Sequence, residues 1–267
     1  MKLTMLGSGN ALAIDCYNTC FLLEDRGQTF LVDGGGGNTI LHQIKSAGYD
    51  WMQIRHIFVT HKHIDHLLGV IWMVRMICQF TGHGDYEGEA YIYSHKEVLD
   101  LIRDMAKNLL RKKESDFIDK RLHLIEVTDG ETLDIIGHKT TFFDIKSTKA
   151  KQFGFCMDIG NGKKLTCCGD EPLTKECEKY AQDSDWLMHE AFCLYSEKDI
   201  FDPYEKQHST VKESCELAQN LNIKNLILYH SEDKNIKNRK KLYTEEGSKY
   251  YTGNLYIPDD LETLELS

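Results

Sequence analysis

A buried strand, a cluster of histidines and a long apolar helix follow one another without interruption between residues 56 and 80. The segment "HIFVT" is predicted to form a strand, and Leu67–Phe80 is apolar on almost every side, as in a helix inside a core. Between them, "HKHIDH" places three histidines and an aspartate in six residues. Side chains at a strand-to-helix junction project into a shared cleft, so the cluster is predicted to belong to a functional site.

Short strands separated by tight turns are predicted in both halves of the chain, and helices accompany them. The predicted strands are "KLTML", "CFLLE" and "TFLVD" before the cluster, and "LHLIEV", "TTFFDI", "FGFCMDI", "KLTCC", "DWLMHE" and "NLILYH" after it. The predicted helices are Asn38–Ala47, a helix that Ser94 caps and that carries Val98 to Leu109, Lys175–Gln182 and Val211–Leu221. Two strand-rich halves with helices favour an α+β fold in which two sheets pack face to face with helices outside. No linker or repeat interrupts the chain, so we predict a single domain over residues 1–267.

Net charge and the apolar segments of the sequence indicate which partners and which cellular compartment to expect. The chain carries a net charge of −10, and an acidic protein is a poor non-specific binder of nucleic acid because phosphate contacts need lysine and arginine. One basic run, "KNIKNRKK" at 234–241, is either a solvated loop or helix end, or a phosphate-binding patch. No signal peptide is recognisable, and Leu67–Phe80 contains Arg75 and is too short to span a bilayer. These observations predict a cytoplasmic protein without a membrane partner.

The histidine cluster has the composition and spacing of a metal site. His61 and His63 are two positions apart, so in an extended segment they lie on the same side, and a turn must then bring Asp65 and His66 from the other side. Imidazole nitrogens and a carboxylate are ligands that Zn²⁺, Mn²⁺ and Fe²⁺ accept. The alternative is a metal-free surface loop, which the uncompensated crowding of three histidines makes unfavourable.

The HxHxDH pattern after a hydrophobic strand resembles the metallo-β-lactamase superfamily, and a closer resemblance to its ribonuclease Z branch covers nearly the whole chain. The superfamily resemblance implies a four-layer αββα sandwich, a supporting carboxylate at Asp33 in "FLVDGG", a metal-bridging aspartate at Asp170 in "CCGDEPL" and a metal histidine at His230 after "NLILY". "LMHEAF" resembles the HEAT motif of ribonuclease Z, which implies a role for Glu190. "HSTVKESCELA" resembles its HST motif, which implies a role for His208.

Glu190 and His208 also have a physical logic as a pair. Thr210 and Glu213 have the spacing of a capping box, so His208 is predicted to lie just ahead of a helix N-terminus, where an anionic phosphate is favoured. A carboxylate at Glu190 would hold the His208 ring in one tautomer, which suits a general acid. The alternative is that His208 is an exposed residue before a helix and has no catalytic role.

Two departures from the ribonuclease Z pattern bear on the site. The family has another metal histidine a few residues before an aromatic–Gly–aromatic turn, and counting back from "QFGF" at 152–155 puts Thr148 at that position. The resemblance then implies one complete ligand set (Asp65, His66, Asp170 and His230) and one incomplete set (His61, His63 and Asp170). The family also has a long tRNA-gripping arm, but here the positions between Thr148 and Asp170 leave room only for a hairpin.

These residues predict a metal-dependent hydrolase of the ribonuclease Z-like type that cleaves a small or cyclic phosphodiester or an RNA end. The resemblance implies attack by a hydroxide held between two metals, with Asp65 as ligand and orienting group, and with His208, steered by Glu190, as the acid for the leaving alkoxide. It implies Zn²⁺, tight at one site and weak or absent at the other, with Mn²⁺ or Fe²⁺ as alternatives, and it allows a homodimer. Two other functions stay open: hydrolysis of a lactone, thioester or β-lactam on the same scaffold, and metal or ligand binding without turnover.

Overall fold

The computed structural model describes residues 1–266, which form two compact units that each contain one seven-stranded sheet. The first unit contains residues 1–7, 17–128 and the terminal segment from residue 261, and the second contains residues 8–16 and 129–260. Both units combine strands with helices, so the chain belongs to the α+β class, as the sequence predicted. The assignment of residues 1–267 to a single domain stays a prediction.

The first unit contains seven strands and four helices. The strands are β1 (Lys2–Gly7), β2 (Cys20–Asp25), β3 (Gln28–Val32), β4 (His56–Phe58), β5 (Ala90–Ser94), β6 (Leu122–Glu126) and β14 (Thr263–Glu265). The helices are α1 (Thr39–Ser46), α2 (Ile64–His83), α3 (Lys96–Leu109) and α4 (Lys112–Ser115). The strand order is β14-β1-β2-β3-β4-β5-β6. Pairing is antiparallel from β14 to β3 and parallel from β3 to β6.

The core of the first unit joins one face of its sheet to α2. Leu31, Ile57 and Ile92 are opposite one another on β3, β4 and β5 and are fully buried. They belong to the same apolar cluster as Val70 and Val74 of α2. Successive strand residues point to opposite faces, so these three side chains lie on the face that packs against α2. This packing fixes α2 next to the end of β4, and the histidines lie at the junction between the two.

Helix α2 is longer than the sequence predicted. The predicted segment Leu67–Phe80 is the middle of a 20-residue helix that ends at His83 and is capped by Gly84, which has a φ of 84°. The expectation that this segment is too short to span a bilayer is therefore wrong on length. Among residues 1–266, α2 is the one helix that is long and apolar enough to cross a membrane by length and composition, and 56% of its most apolar window is buried inside the protein.

The second unit contains the remaining seven strands and four helices. The strands are β7 (Thr132–Ile135), β8 (His138–Asp144), β9 (Phe153–Gly160), β10 (Lys163–Cys167), β11 (Trp186–Glu190), β12 (Asn225–Tyr229) and β13 (Asn254–Tyr256). The helices are α5 (Glu178–Ala181), α6 (Lys198–Phe201), α7 (Val211–Asn220) and α8 (Arg239–Gly247). The strand order is β13-β12-β11-β10-β9-β8-β7. Pairing is antiparallel from β7 to β10 and parallel from β10 to β13.

A tight hairpin occupies the segment in which the ribonuclease Z pattern has an arm. Strands β9 and β10 are antiparallel and are joined by Asn161 and Gly162, which have φ angles of 55° and 71°. Two consecutive residues with positive φ are the requirement of a type I′ turn, and Asn-Gly is its favoured sequence. The hairpin predicted for this segment is confirmed.

Several element predictions need correction. Ser94 does not cap a helix, because it is the last residue of β5 and its buried hydroxyl donates to Val59 O at 2.7 Å. Helix α3 begins after His95 instead. The predicted helix Lys175–Gln182 is reduced to the four residues of α5. In the basic run, Arg239 is buried and begins α8, so the run is in part a helix start.

Candidate functional site

Asp33 follows β3 and organises the histidine loop, residues 60–66. One carboxylate oxygen accepts the Thr60 N–H at 2.8 Å. The other accepts the Thr60 hydroxyl at 2.8 Å and Nδ1–H of His66 at 2.7 Å. Asp33 and His66 are both buried. A carboxylate on Nδ1 fixes the tautomer in which Nε2 has a lone pair for a metal, so Asp33 lies where the resemblance places a supporting carboxylate.

Glycines allow α2 to approach the backbone that follows Asp33. Gly34 N–H donates to His66 O at 2.8 Å, and Gly69 N–H donates to Gly35 O at 2.9 Å. A Cβ on Gly69 would lie 1.7 Å from Gly34 O, so this position accepts no side chain. This close approach brings His66 within reach of Asp33.

The histidine loop gathers its four candidate ligands at short distances from one another. Positions 62 and 64 are exposed, whereas His61, Asp65 and His66 are buried and His63 is half-buried. His61 Nε2 lies 2.8 Å from His63 Nδ1, and the ring centroids of His61 and His66 are 4.3 Å apart. Asp65 Oδ2 lies 3.4 Å from His66 Nε2. Imidazole nitrogens and a carboxylate gathered in this way fit a divalent cation of the zinc, manganese or iron type.

Four further candidates lie together within the second unit, and we refer to Asp170, Glu190, His208 and His230 as the second-unit group. Three of them follow or end the parallel strands β10, β11 and β12, and the carboxyl ends of neighbouring parallel strands meet at one edge of a sheet. All four are buried. His230 Nε2 lies 3.5 Å from Asp170 Oδ2, and the ring centroids of His208 and His230 are 5.1 Å apart.

Gln152 holds the other oxygen of Asp170, a role that the sequence analysis missed. Its Nε2–H donates to Asp170 Oδ1, and its Oε1 accepts the Asp170 N–H at 3.0 Å. Gln152 is 1% exposed. Gln152 directly precedes "FGF" at the start of a predicted strand, where a polar side chain is expected to be buried. A buried glutamine needs hydrogen-bond partners, so this position was a signal for a structural contact. The amide is neutral and therefore leaves the negative charge of Asp170 available to a cation.

Thr148 is exposed, and its hydroxyl donates to Gln207 Oε1. Next to it, the Ser147 hydroxyl donates to Glu171 Oε1 at 2.8 Å. Burial raises the pKa of Glu171, and the neighbouring charge of Asp170 adds to this increase. Thr148 therefore has a polar side-chain partner of its own, and its neighbour Ser147 is bonded to Glu171, the residue that follows Asp170.

Glu190 and His208 are neighbours, although the distance between them is slightly longer than the hydrogen bond that a steering carboxylate requires. Glu190 ends β11 and is fully buried, and one of its oxygens accepts the Ser209 N–H. Its Oε2 faces His208 Nδ1 at 3.6 Å. The capping box that follows is confirmed, since Glu213 accepts both the Thr210 N–H, at 2.8 Å, and the Thr210 hydroxyl. His208 therefore lies two residues ahead of the capped N-terminus of α7.

His189, the histidine of "LMHEAF", has a structural role. Its Nε2 accepts the Leu173 N–H at 3.2 Å, which requires an unprotonated nitrogen, and its Nδ1–H donates to Glu190 O at 2.8 Å. Full burial lowers the pKa of His189. This segment therefore supplies one candidate functional carboxylate, Glu190, and one neutral imidazole that donates to the Glu190 backbone.

Comparison with known proteins bears on the whole chain. A family profile described as the anti-Pycsar protein Apyc1 matches residues 1–248. Ribonuclease Z from Archaeoglobus fulgidus is 23% identical in an alignment that covers 100% of this chain and 98% of the relative. That alignment has 316 positions against 267 residues here, so at least 49 residues of the relative have no counterpart in this chain.

Solved structures establish the fold. The metallo-β-lactamase fold protein YhfI from Bacillus subtilis superposes with a TM-score of 0.79 at 16% identity, over 98% of both chains. A diphosphatase from the PhnP family superposes with a TM-score of 0.74 at 17% identity, over 99% of this chain and 97% of the other. The chain therefore has the metallo-β-lactamase fold that the resemblance implied.

Proposed function

This chain belongs to the anti-Pycsar protein Apyc1 family, among the ribonuclease Z-like members of the metallo-β-lactamase superfamily, and on that basis we propose that it is a metal-dependent phosphodiesterase. The proposed substrate is a small or cyclic phosphodiester, or an RNA end. Three features argue against a folded tRNA. The net charge is −10, a two-residue turn joins β9 to β10, and at least 49 residues of the ribonuclease Z relative have no counterpart here.

The proposed metal ligands are His61, His63, Asp65, His66, Asp170 and His230. Their imidazole and carboxylate donors, with Asp33 behind His66, fit Zn²⁺ and also Mn²⁺ or Fe²⁺. Bound divalent metals would activate the attacking water and neutralise charge on the phosphate oxygens. We propose one tight and one weak Zn²⁺ site, because Thr148 occupies the position of a histidine in the ribonuclease Z pattern and its hydroxyl donates to Gln207.

The chain's own residues would then carry out the remaining steps. Asp65 orients the attacking water. His208 presents Nδ1 to Glu190, which leaves Nε2 to protonate the leaving oxygen. The N-terminus of α7, two residues beyond His208, favours the negative charge of a phosphate.

The buried Glu190–His208 pair ahead of a capped helix is the observation that supports phosphorus chemistry most directly. Hydrolysis of a lactone, thioester or β-lactam on the same scaffold has no evident need for a separate acid of this kind. A protein that only binds metal or ligand has no use for a fully buried carboxylate that faces a histidine, since burying that charge is costly.

A substrate panel tests the proposal. Metal-loaded protein is assayed with a nitrophenyl diester, a diester with an alkyl leaving group, a cyclic phosphodiester, a lactone, a thioester and a β-lactam. Hydrolysis of the phosphodiesters and loss of the alkyl diester activity in Glu190→Gln are expected. Turnover of the acyl substrates without the diesters would refute the proposal, and metal binding without turnover of any substrate would favour the binding protein.

We also propose a cytoplasmic homodimer. All nine cysteines are free and seven are buried, which suits a reducing compartment. Leu12 and Ile14 are 79% and 91% exposed, and a dimer interface would cover such side chains. Light scattering measures the mass in solution, and cell fractionation tests the compartment.

A further inference from the structure

The imidazole ring of His208 lies flat against the phenyl ring of Phe192. Their centroids are 4.9 Å apart and their planes differ by 7°. Both side chains are buried, at 8% and 6% exposure. Phe192 is the last residue of "HEAF", so a large aromatic side chain stands where the HEAT motif has a threonine.

The contact with Glu190 leaves the plane of the His208 ring undetermined. The distance between Glu190 Oε2 and His208 Nδ1 is 3.6 Å, and neither atom has a hydrogen-bond partner within the described residues. A loose contact at one ring atom sets which edge faces the carboxylate, but it allows the ring to swing about the Cβ–Cγ bond, a torsion with broad minima. A flat partner stacked parallel to the ring, with an offset, opposes this swing.

Phe192 is itself held firmly. Its N–H donates to Ser209 O at 2.9 Å, and its O accepts the Glu232 N–H at 2.8 Å. The Lys206 ammonium lies 5.0 Å from the ring centroid of Phe192, and that same ammonium donates to Phe201 O at 2.6 Å. The bond to Ser209 ties the backbone of Phe192 to the residue next to His208, so the two Cα atoms keep a fixed separation from which the rings stack.

We propose that Phe192 is a positioning residue that fixes the plane of the His208 imidazole and thereby aims its Nε2 proton at the leaving oxygen. Glu190 selects which nitrogen faces the substrate, and Phe192 sets the direction of the N–H bond. Direction matters because a hydrogen bond weakens steeply as it bends. The inference rests on the proposed phosphodiesterase function and adds a residue to it.

The test compares Phe192→Leu, which stays apolar but removes the flat ring, with Phe192→Tyr, which keeps it. Phe192 lines a cavity of about 190 Å³. The matched control is Phe143→Leu, which removes a ring that stacks on Tyr180 at 4.3 Å and 7° in the same unit. Thermal melting of each variant confirms that it folds.

Kinetics provide the first measurement. Phe192→Leu is expected to lower kcat for an alkyl-leaving-group diester by about 10–100-fold, with KM unchanged and little loss on a nitrophenyl diester, because only the alkoxide needs the proton. Phe192→Tyr is expected to stay close to wild type, and Phe143→Leu to affect both substrates alike. Equal losses on both substrates in Phe192→Leu would overturn the positioning role.

Nuclear magnetic resonance of metal-stripped protein provides a second measurement that does not depend on activity. The Cε1–H resonance of His208, assigned with His208→Ala, is expected to be shifted by the aromatic ring in wild type and Phe192→Tyr, and to lose this shift in Phe192→Leu. An unchanged resonance in Phe192→Leu would overturn the stack. If wild-type protein hydrolyses no phosphodiester, the proposed function fails, and the resonance still decides whether Phe192 holds the ring.

Discussion

The histidine loop of the first unit and the second-unit group provide similar side chains by different means. The histidine loop places four candidate ligands within six residues, where β4 passes into α2. The second-unit group takes its members from four separate segments, and the register of β10, β11 and β12 brings Asp170, Glu190 and His230 together. A loop between consecutive elements is specified by the local chain, whereas the second-unit group exists only once its sheet has formed. Changes in the loop should therefore disturb metal binding. In the second-unit group, changes at Asp170 and His230 should also disturb metal binding, whereas changes at Glu190 and His208 should act on proton donation.

One feature is common to the two regions. Asp33 follows β3 with a φ of 56°, and His230 follows β12 with a φ of 57°. A non-glycine residue in the left-handed region costs about 1–3 kcal/mol, which the surrounding structure must offset. In each unit, a candidate functional residue therefore lies at a sharp turn directly after a buried strand.

The largest expected effect separates proton donation from metal binding. His208→Ala should lower turnover of an alkyl-leaving-group diester by about 10²–10⁴-fold and affect a nitrophenyl diester much less, because that leaving group needs no proton. The matched variant in the histidine loop, His63→Ala, should lower turnover of both substrates alike. Steady-state kinetics at saturating metal measure both. Equal losses in His208→Ala would assign that residue a binding or structural role.

Metal titration sharpens the comparison further. We expect one tight and one weak site in the wild-type protein, with activity that rises on added Mn²⁺ or Zn²⁺. Thr148→His should tighten the weak site by at least the roughly 10–100-fold that a second-shell partner contributes. Isothermal titration calorimetry of metal-stripped protein measures both sites. Two equally tight sites in the wild type would mean that another residue takes the place of the histidine. The control is Thr132→His, at an exposed strand position, which should change the affinity of neither site.

Gln152, which holds Asp170 of the second-unit group, provides a further test. Gln152→Leu removes the amide that holds Asp170 Oδ1 and keeps a side chain of similar size. We expect metal affinity to fall by about 10-fold or more, as for other residues that orient a ligand. Calorimetry again measures the effect. An unchanged affinity together with a lowered melting temperature would show that Gln152 supports the fold and not the ligand.

The smallest expected effect concerns pH and the buried His189. Burial lowers the pKa of this residue in the folded state, while the unfolded chain has the ordinary value of about 6.5. As the pH falls below about 6.5, the unfolded state takes up a proton that the folded state resists, so stability is lost toward low pH, by at most about 1.4 kcal/mol per pH unit.

His189→Gln should therefore show a shallower loss of stability between pH 7 and pH 5 than the wild type. Urea unfolding of metal-stripped protein at several pH values measures this difference and removes the contribution of metal binding. His42→Gln, at an exposed histidine, is the control and should keep the wild-type slope. Parallel slopes for wild type and His189→Gln would contradict the neutral state that the Leu173 hydrogen bond indicates.

Sequence alone determined the parts of this protein that depend on short separations along the chain. The strand before the cluster and the Thr210–Glu213 capping box both follow from local periodicity and spacing. Errors occurred where a buried polar residue had a partner outside its own segment. Ser94 has the composition of a cap, but its hydroxyl bonds to the neighbouring strand.

Only the tertiary structure decided which distant side chains touch. Gln152 reaches Asp170 across 18 positions, His66 reaches Asp33 across 33, and Phe192 stacks on the ring of His208. No period or spacing in the sequence encodes these contacts, because sheet register and the close approach of glycine backbones create them. The residue types that can bind a metal or move a proton are therefore visible in the sequence, whereas the groups that hold them in place become apparent only in the folded chain.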